Sequence, residues 1–231
     1  MKSLQQIEKY TTSDYIENNP TWHVEDSSWK ASQILNIMTQ NNLTPKSIAE
    51  IGCGAGEVLH QLYMQMDNDV LFNGYEISQI AFDLCQQREK DRLHFELNNI
   101  LEDTSSYFDV IMAIDVVEHV EDYWGFLRDL KMKGEYKIIH VPLEMSVKSV
   151  LTKYYLKSRE KFGHIHYYSK DTVLATLKDL GYEIIDCFYT SVVIYQKPRA
   201  LKSLILRLGS HINKDLTVRL FGGYSLMVLA K

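Results

Sequence analysis

Short apolar segments alternate along the chain with stretches whose apolar residues recur every three or four positions. The first pattern is typical of buried strands, and the second is typical of helices that cover them. Strands that alternate with helices predict a parallel sheet with right-handed crossovers, in which ligands bind at the carboxyl ends of the strands. Seven strands are predicted, over residues 47–51, 70–75, 94–97, 108–114, 137–141 (ended by Pro142), 182–195 and 224–230.

Polar capping residues mark where the helices between these strands begin. Ser and Asp side chains accept a hydrogen bond from the first turn of a helix, so they are common just before one. Helices are predicted over 28–42, from the glycine-rich turn to about 66, after Ser78, after Asp122, over 145–158 and over 169–179, where Gly181 ends the last one.

The first 25 residues are aromatic and polar and predict irregular structure or short helices. Tyr15, Trp22 and His23, together with Lys30, could form a lid that excludes water from a ligand site, in which Lys30 meets a ligand carboxylate. The alternative is an arm of the chain that packs on the sheet.

A basic segment follows the sixth predicted strand. Residues 196–223 hold six Lys and Arg against one Asp, within a chain of net charge −5. Leu201, Leu204, Ile205 and Leu208 have helical spacing among these cations. Such a stripe more often packs in a core or a homodimer contact than on an anionic membrane, and a third interpretation is that the cations bind the phosphates of a carrier-linked sugar.

Composition narrows the class of protein further. The 231 residues suit one α/β domain over 1–231, and no apolar run approaches the roughly 20 residues that span a bilayer. The start of the chain lacks the apolar core of a signal peptide, so we expect a cytoplasmic protein. Cys53, Cys85 and Cys187 lack any CxxC spacing, which favours reduced thiols over disulfides or zinc. The negative net charge argues against nucleic-acid binding.

Three glycines at alternate positions follow the first predicted strand. Gly52, Gly54 and Gly56 let the backbone turn sharply into a helix and let a ligand touch the main chain. A dinucleotide site would have its third glycine at position 57, which is Glu57 here. A carboxylate at that helix N-terminus would repel a pyrophosphate by a few kcal/mol at an effective dielectric of about 20.

Two further acids flank this turn, since Glu50 precedes the glycines and Glu76 ends the second strand. A ligand without phosphates that carries a sulfonium and an ammonium suits such surroundings, and S-adenosylmethionine is that ligand. Glu76 is placed to accept hydrogen bonds from both ribose hydroxyls. Both classes of cofactor use an acid there, so the glycine spacing and Glu57 discriminate between them.

The segments Glu50-Ile-Gly-Cys-Gly-Ala-Gly and Phe108-Asp-Val-Ile, with Asp115-Val-Val-Glu-His-Val after them, resemble the class I S-adenosylmethionine-dependent methyltransferases. The similar subgroup includes ubiquinone-biosynthesis O-methyltransferases and enzymes of polysaccharide clusters. The resemblance covers about 28–195 and the final strand. It implies a three-layer α/β/α Rossmann-like methyltransferase fold, with a seven-stranded, mostly parallel sheet of order 3-2-1-4-5-7-6 whose last strand is antiparallel.

The resemblance also implies a set of cofactor-binding residues. Those around the glycine turn would contact the methionine end, Glu76 would hold the ribose, and Ile77 would pack on adenine. Asn99 stands where the family usually has an Asp that binds the adenine amino group, and its amide oxygen could still accept that bond. The full set is Glu50, Gly52, Cys53, Gly54, Gly56, Glu76, Ile77, Asn99, Ile100, Asp115 and Val116.

Two histidines are candidates for catalysis. His119 follows the fourth strand at the mouth of the predicted site and could take a proton from a hydroxyl, or it could only pack beside the cofactor. His164 and His166, two residues apart, would point the same way on an extended segment, where we expect one to face the substrate. No acidic pair nearby has ligand-like spacing, so no metal is expected.

The sequence therefore predicts an enzyme that transfers a methyl group from S-adenosylmethionine to an oxygen, less readily a nitrogen, of a small polar molecule. The family resemblance points to a sugar or polysaccharide precursor. Residues 1–27, 143–168 and 196–223 would shape the acceptor pocket. The alternative is a cofactor-binding partner or regulatory protein without transferase activity, and a nicotinamide dehydrogenase comes third.

Overall fold

A computed structural model describes Trp22 and residues 24–231 of the chain, except for the side chain of Lys202. The lid expected from Tyr15 and His23 therefore lies outside the described residues. The strands are β1 (Ser47–Ile51), β2 (Leu71–Glu76), β3 (Leu93–Leu97), β4 (Phe108–Ile114), β5 (Gly134–Leu143), β6 (Ile184–Thr190) and β7 (Tyr224–Ala230). The helices are α1 (Val24–Gln40), α2 (Glu57–Tyr63), α3 (Gln79–Cys85), α4 (Tyr123–Lys131), α5 (Val147–Thr152), α6 (Tyr154–Phe162), α7 (Lys170–Asp179), α8 (Val192–Gln196) and α9 (Leu201–Phe221).

The strands form one sheet in the order β3-β2-β1-β4-β5-β7-β6, which confirms the predicted topology. The first five strands are mutually parallel, and β7 runs antiparallel to both of its neighbours. Strand order reverses between β1 and β4, where Ile51 lies opposite Ala113. Crossovers leave in opposite directions from these two strands, so a crevice opens at their carboxyl ends.

Each face of the sheet is covered by its own group of helices, which confirms the three-layer arrangement. One apolar cluster joins α1, α2 and α3 to the face that includes Ile48 and Val110. The other joins α4, α7 and α9 to the face that includes Ala49 and Ile111. Ile48 and Ala49 are adjacent and fully buried on opposite faces, as the alternation of side chains along a strand requires.

The predicted bounds of two strands are wrong at both ends, since β5 covers Gly134–Leu143 and not 137–141, and β6 covers Ile184–Thr190 and not 182–195. Strand β5 continues through Pro142 to Leu143, because β7 pairs with it there while β4 already ends opposite His140. Proline is tolerated where one edge of a strand has no partner. The strand predicted over 182–195 stops at Thr190, the last residue paired with β7, and Ser191 then caps α8.

Two helix predictions are also corrected. Helix α1 begins at Val24, four residues before the predicted start. The helix predicted over 145–158 is two helices, because Lys153 between them has a left-handed backbone (φ 51°) that a helix cannot continue through. Helix α7 begins as predicted after Ser169, whose side chain forms a capping box with Thr172.

Helix α9 is kinked at Asn213, whose φ and ψ are −155° and 104°. The side chain of Asn213 accepts from the backbone N–H of Leu216 and so starts a second helical segment. Beside the kink the two segments approach closely, since a Cβ on Gly209 would lie 2.6 Å from Oγ1 of Thr217. Leu206 and Val218 supply the buried side of the helix.

The apolar stripe predicted for this helix faces solvent. Its four members, Leu201, Leu204, Ile205 and Leu208, are all exposed, so the interpretation of the stripe as core is wrong. The buried positions lie between them at Ser203 and Leu206 instead, on the opposite side of the helix. In the part of the chain that the structure describes, every helix is too short or too polar to cross a bilayer.

Candidate functional site

A cavity of about 1210 Å³ opens at the carboxyl ends of β1, β2 and β4, at the point where strand order reverses. Among the described residues, every side chain on its wall lies between Trp22 and Asp129. The later segments 143–168 and 196–223, which were expected to shape an acceptor pocket, do not reach this wall. One residue of 143–168, His164, packs against the wall residue His119 from the side away from the cavity.

The glycine turn at the floor of the cavity has the backbone that the sequence predicts. Gly52, Gly54 and Gly56 all have positive φ, at 65°, 55° and 74°. A Cβ on Gly52 would lie 2.9 Å from Val116, and one on Gly56 would lie 2.6 Å from the ring of Phe95. Gly52 and Gly54 line the cavity, whereas Gly56 serves the packing of α2 on the sheet.

Glu76 is held by three main-chain donors at the end of β2. One carboxylate oxygen accepts from Gly54 N–H at 2.8 Å, and the other accepts from Ile77 and Ser78 N–H at 2.8 and 2.9 Å. Burial raises the pKa of Glu76, and these three bonds work against that rise. The carboxylate is therefore a fixed acceptor on the cavity wall.

Glu50 is a second buried acid on the wall. Burial raises the pKa of Glu50 to about 8, and the charge of Lys30 offsets that rise only in part. One of its carboxylate oxygens has no hydrogen-bond partner among the described residues. A buried acceptor without a partner is rare in folded proteins and marks a place where a ligand donor can bind.

Lys30 and Asp115 form an ion pair on the same wall, with 2.7 Å between Nζ and the carboxylate. Asp115 has a positive φ of 55°, which is uncommon for a residue with a side chain. It also accepts from Nδ1 of His140 at 2.7 Å, and Nε2 of His140 lies 2.8 Å from the hydroxyl of Thr190. Although burial raises the pKa of Asp115, the charges of His140 and Lys30 bring it well below its usual value.

Sequence reasoning missed His140 and Thr190, which lie on β5 and β6. Neither belongs to a motif. His140 reaches Asp115 because β5 pairs with β4, and Thr190 reaches His140 from β6 across β7. Lys30 was expected to meet a ligand carboxylate. The structure gives it Asp115 as its partner and still places it on the cavity wall.

The predicted adenine end is split between wall and core. Ile77 is more than half exposed and lines the cavity beside Asn99. The amide oxygen of Asn99 accepts from Leu101 N–H at 3.3 Å, and its amide nitrogen donates to Glu102 at 2.9 Å. Ile100 packs in the apolar core, so its side chain points away from the cavity. A short 3-10 turn over Ile100–Glu102 causes this alternation.

The charge of Glu57 at the start of α2 is compensated by neighbouring side chains. It forms an ion pair with Arg88 and accepts from Gln61 at 2.8 Å. Burial raises the pKa of Glu57, but these bonds outweigh it and bring the pKa below its usual value. Because Arg88 compensates this charge, the acidity of the turn comes from Glu50 and Glu76. This pairing could not be predicted from the sequence, since the two residues are 31 positions apart.

The two candidate catalytic histidines meet, but only His119 lines the cavity. Their rings are edge to face, with centroids 4.9 Å apart. His164 is buried behind, and its Nδ1 lies 3.1 Å from both the carboxylate of Glu144 and the hydroxyl of Ser158. Ser158, on α6, also donates to Glu144.

His166 takes a different direction from His164, which contradicts the expectation that the pair points the same way. Its Nε2 lies 3.2 Å from the carbonyl oxygen of Glu121, and its ring packs against that of Tyr123 at a tilt of 54°, with 4.7 Å between the ring centroids. His164 instead faces His119. Contacts with α4 therefore hold His166, while α6 and the end of β5 hold His164.

Glu118 adds a buried acid to this group. Its side chain is fully buried, and neither carboxylate oxygen has a hydrogen-bond partner among the described residues. Burial, followed by the charges of Asp115 and Glu144, raises its pKa well above the usual value. Ligand atoms of Glu118, His119 and His164 all lie within 4.8 Å of one another, so the group has donors that could hold a divalent cation.

Comparison of the sequence with known families matches residues 25–186 to a family described as a methyltransferase domain. Among curated proteins, the chain is similar to tRNA U34 carboxymethyltransferases of Campylobacter jejuni, with 31% identity over 114 residues. The match covers 46% of this chain and spans 38% of the length of that relative.

The fold is similar to several solved structures. One is a magnesium protoporphyrin IX methyltransferase from Synechocystis PCC 6803 with bound S-adenosylhomocysteine, at 16% identity and a TM-score of 0.58, covering 90% of this chain and 82% of that one. Another is YjhP from E. coli, at 13% identity and a TM-score of 0.61, covering 95% and 98%. At these identities the likeness is one of fold.

Proposed function

This chain belongs to the family of methyltransferase domains, and from that premise we propose that it transfers the methyl group of S-adenosylmethionine to an oxygen of a small polar molecule. The observation that supports an oxygen acceptor is a histidine, His119, on the wall of the cavity at the end of β4. A hydroxyl must lose its proton as it accepts a methyl group, and an imidazole on the wall can take that proton.

The acids of the cavity fit this cofactor. It supplies a methyl group activated by a sulfonium, and that group is displaced in line by the acceptor atom. Glu76 would hold the ribose hydroxyls, since its position is already fixed by three main-chain bonds. Glu50 has an oxygen without a partner, and an ammonium or a sulfonium bound beside it would favour loss of the proton that its raised pKa retains. Glu57 is paired with Arg88, so we assign no contact with the cofactor to it.

The Lys30–Asp115 pair suits the methionine end of the cofactor, which carries both an ammonium and a carboxylate. A cation and an anion held 2.7 Å apart present complementary partners to such a zwitterion. His140 and Thr190 fix Asp115 from behind, so that the pair is arranged before the ligand arrives. Orientation of this kind is the main contribution a protein makes when the reagent is already activated.

His164 is a positioning residue in this proposal. Glu144 and Ser158 fix its ring, and its ring in turn packs edge to face on His119. This edge-to-face contact would limit rotation of the His119 ring and keep it directed at the cavity. We therefore propose different roles for the two predicted catalytic histidines.

The acceptor class we propose is a sugar or a polysaccharide precursor. Besides the acids already assigned to the cofactor or paired with Arg88, four further carboxylates lie on the cavity wall, contributed by Glu102, Glu121, Asp122 and Asp129. Carboxylates accept hydrogen bonds from hydroxyl groups, so a molecule with several hydroxyls is well matched to them. The same charges disfavour a polyanion such as the tRNA that the name of the Campylobacter jejuni relatives mentions.

Methyl transfer from isotopically labelled S-adenosylmethionine to a panel of sugars, sugar nucleotides, phenols and amines tests this proposal. We expect label in the hydroxyl compounds and calorimetric binding of S-adenosylhomocysteine. Binding without turnover across the whole panel would favour the alternative of a cofactor-binding partner protein. Binding of NAD in place of S-adenosylhomocysteine would contradict the cofactor assignment itself.

A further inference from the structure

The apolar residues that the structure leaves uncovered are concentrated on α5, α6 and α9. On α9 they form a stripe at Leu201, Leu204, Leu208 and Ile212, with Leu201 74% exposed and Ile212 90% exposed. On α5, Val150 and Leu151 are 63% and 79% exposed. We call the surface formed by these three helices the apolar-basic face.

The stripe is a true helix face and not a few isolated residues. Its positions recur at intervals of three and four along α9, which places them on one side of the helix. The opposite side is buried at Ser203 and Leu206. Among the residues that the structure describes, nothing covers this row of leucines, and an exposed apolar row of this kind is typical of an interaction surface.

Helices α5 and α9 meet at the carboxyl edge of the sheet. The last residues of β5 pair with the first of β7, with Leu143 opposite Tyr224. Just beyond that pair, a Cβ on Gly222 would lie 2.9 Å from the hydroxyl of Ser146 at the start of α5. The apolar-basic face therefore begins at the same edge of the sheet as the cavity.

Cations surround these apolar side chains. Residues 145–162 and 196–223 together hold eleven Lys and Arg against two acids, a net of +9 within a chain whose total is −5. Lys148, Lys153 and Lys157 on one side and Arg207 and Lys214 on the other are exposed. A concentration of positive charge on one face of an acidic protein attracts anionic partners to that face.

We propose that the apolar-basic face docks on the surface of an anionic lipid bilayer, with the leucines of α9 in the acyl boundary and the cations at the headgroups. A second copy of this chain would bring two surfaces of net positive charge together, which Coulomb repulsion opposes. RNA would use the cations but would gain nothing from a row of aliphatic side chains. Anionic lipid satisfies both the charge and the apolar stripe.

Docking of this kind places the edge of the sheet that carries the cavity next to the membrane. An acceptor carried on a lipid would then meet the site without leaving the bilayer surface. Binding of this face to lipid does not depend on which acceptor the cavity takes.

Flotation of the purified protein with vesicles tests the proposal. We expect binding to phosphatidylcholine vesicles that contain phosphatidylglycerol to exceed binding to pure phosphatidylcholine by about tenfold or more, and to weaken with salt, because each cation near the surface adds about a factor of five. Leu204→Asp combined with Leu208→Asp should reduce binding to the anionic vesicles by a similar factor. Met64→Asp combined with Met132→Asp adds the same two charges at exposed apolar positions outside this face, and this matched control should bind nearly as the parent does.

Four outcomes would overturn the proposal. The parent protein could fail to float with either kind of vesicle, or the aspartate pair could float as well as the parent while its melting temperature stays within the range of the control. Sedimentation velocity could show a dimer that the aspartate pair dissociates, which would assign the face to a second copy. Retention of bulk tRNA equally by the parent and the aspartate pair, without vesicle binding, would assign it to RNA.

Discussion

His119 and His164 meet edge to face at 4.9 Å, and the first lines the cavity while the second is buried against Glu144. They come from segments 45 residues apart, after β4 and after α6. The two candidate histidines of the sequence therefore differ in position, with His119 on the cavity wall and His164 buried behind it, and the roles proposed above depend on this difference.

His119→Ala should lower kcat by about 10²- to 10⁴-fold, the usual contribution of a general base. Its affinity for S-adenosylhomocysteine should stay close to that of the parent, since the substitution leaves Glu76 and Glu50 intact. His94→Ala, at a half-exposed histidine on β3, is the control for loss of an imidazole elsewhere. Equal kcat in His119→Ala and the parent would remove His119 from the chemistry.

Chelation should leave kcat unchanged. The ligand atoms of Glu118, His119 and His164 lie within reach of one cation, so a metal and a proton acceptor are competing roles for the same imidazole. With His119 as the base, dialysis against EDTA followed by a rate measurement should show no loss. A loss that added zinc or manganese restores would transfer the role from the free imidazole to a bound cation.

Glu76→Ala should weaken binding of S-adenosylhomocysteine by tenfold or more, because hydrogen bonds to a charged group are worth about 1.5–3 kcal/mol. Titration calorimetry measures this directly. Glu96→Ala, at an exposed acid on the adjacent strand β3, matches the loss of charge without touching the cavity and should bind as the parent does. Unchanged affinity in Glu76→Ala would refute the ribose assignment.

Gly56→Ala should destabilise the fold far more than Gly54→Ala. Both glycines have positive φ, but a Cβ at position 56 would lie 2.6 Å from Phe95, whereas at 54 it would lie 3.6 Å from Trp22. Strain and overpacking together cost about 2–4 kcal/mol, or about 4–15 °C in melting temperature for a chain of this size. Thermal unfolding of both variants checks this, and similar melting temperatures would contradict the packing role of Gly56.

Glu50→Gln should change how stability depends on pH. Burial raises the pKa of Glu50 from 4.5 to about 8, so between these values the folded state binds a proton that the unfolded state has lost. Stability contributed through this group therefore falls as pH rises from about 4.5 to about 8. Glu50→Gln removes the titrating group, so the stability of the variant lacks this pH dependence. The melting temperature of the variant minus that of the parent should therefore be larger at pH 8 than at pH 5. A constant difference across this window would contradict the raised pKa.

The sheet and its order could be predicted because their signals are local or belong to the family motifs. The run from Phe108 to Ile114 is a strand in both the prediction and the structure, since a continuous apolar run between polar flanks has few other solutions. Segment ends set by neighbouring strands could not be predicted. Pro142 remains in β5 because β7 pairs with it, and nothing near Pro142 in the sequence encodes β7.

The site was predictable where the backbone or a motif defines it and not where distant side chains pair. Gly52 and Gly54 stand on the cavity floor as expected. The partnerships of Glu57 with Arg88 and of Asp115 with Lys30 and His140 depend on residues that only the tertiary fold brings together. The apolar stripe of α9 shows the converse limit, because periodicity identifies a helix face without saying whether protein covers it.

Ser158 connects the surface helix α6 to the buried histidine behind the cavity. It belongs to α6, on the apolar-basic face, yet its hydroxyl contacts both Glu144 and His164 behind the cavity. A displacement of α6 would thus be transmitted to the imidazole pair. If contact with a surface shifts α6, binding of the surface and binding of the acceptor become coupled. The coupling is reciprocal, so the acceptor would strengthen binding to the surface by the same factor by which the surface strengthens binding of the acceptor.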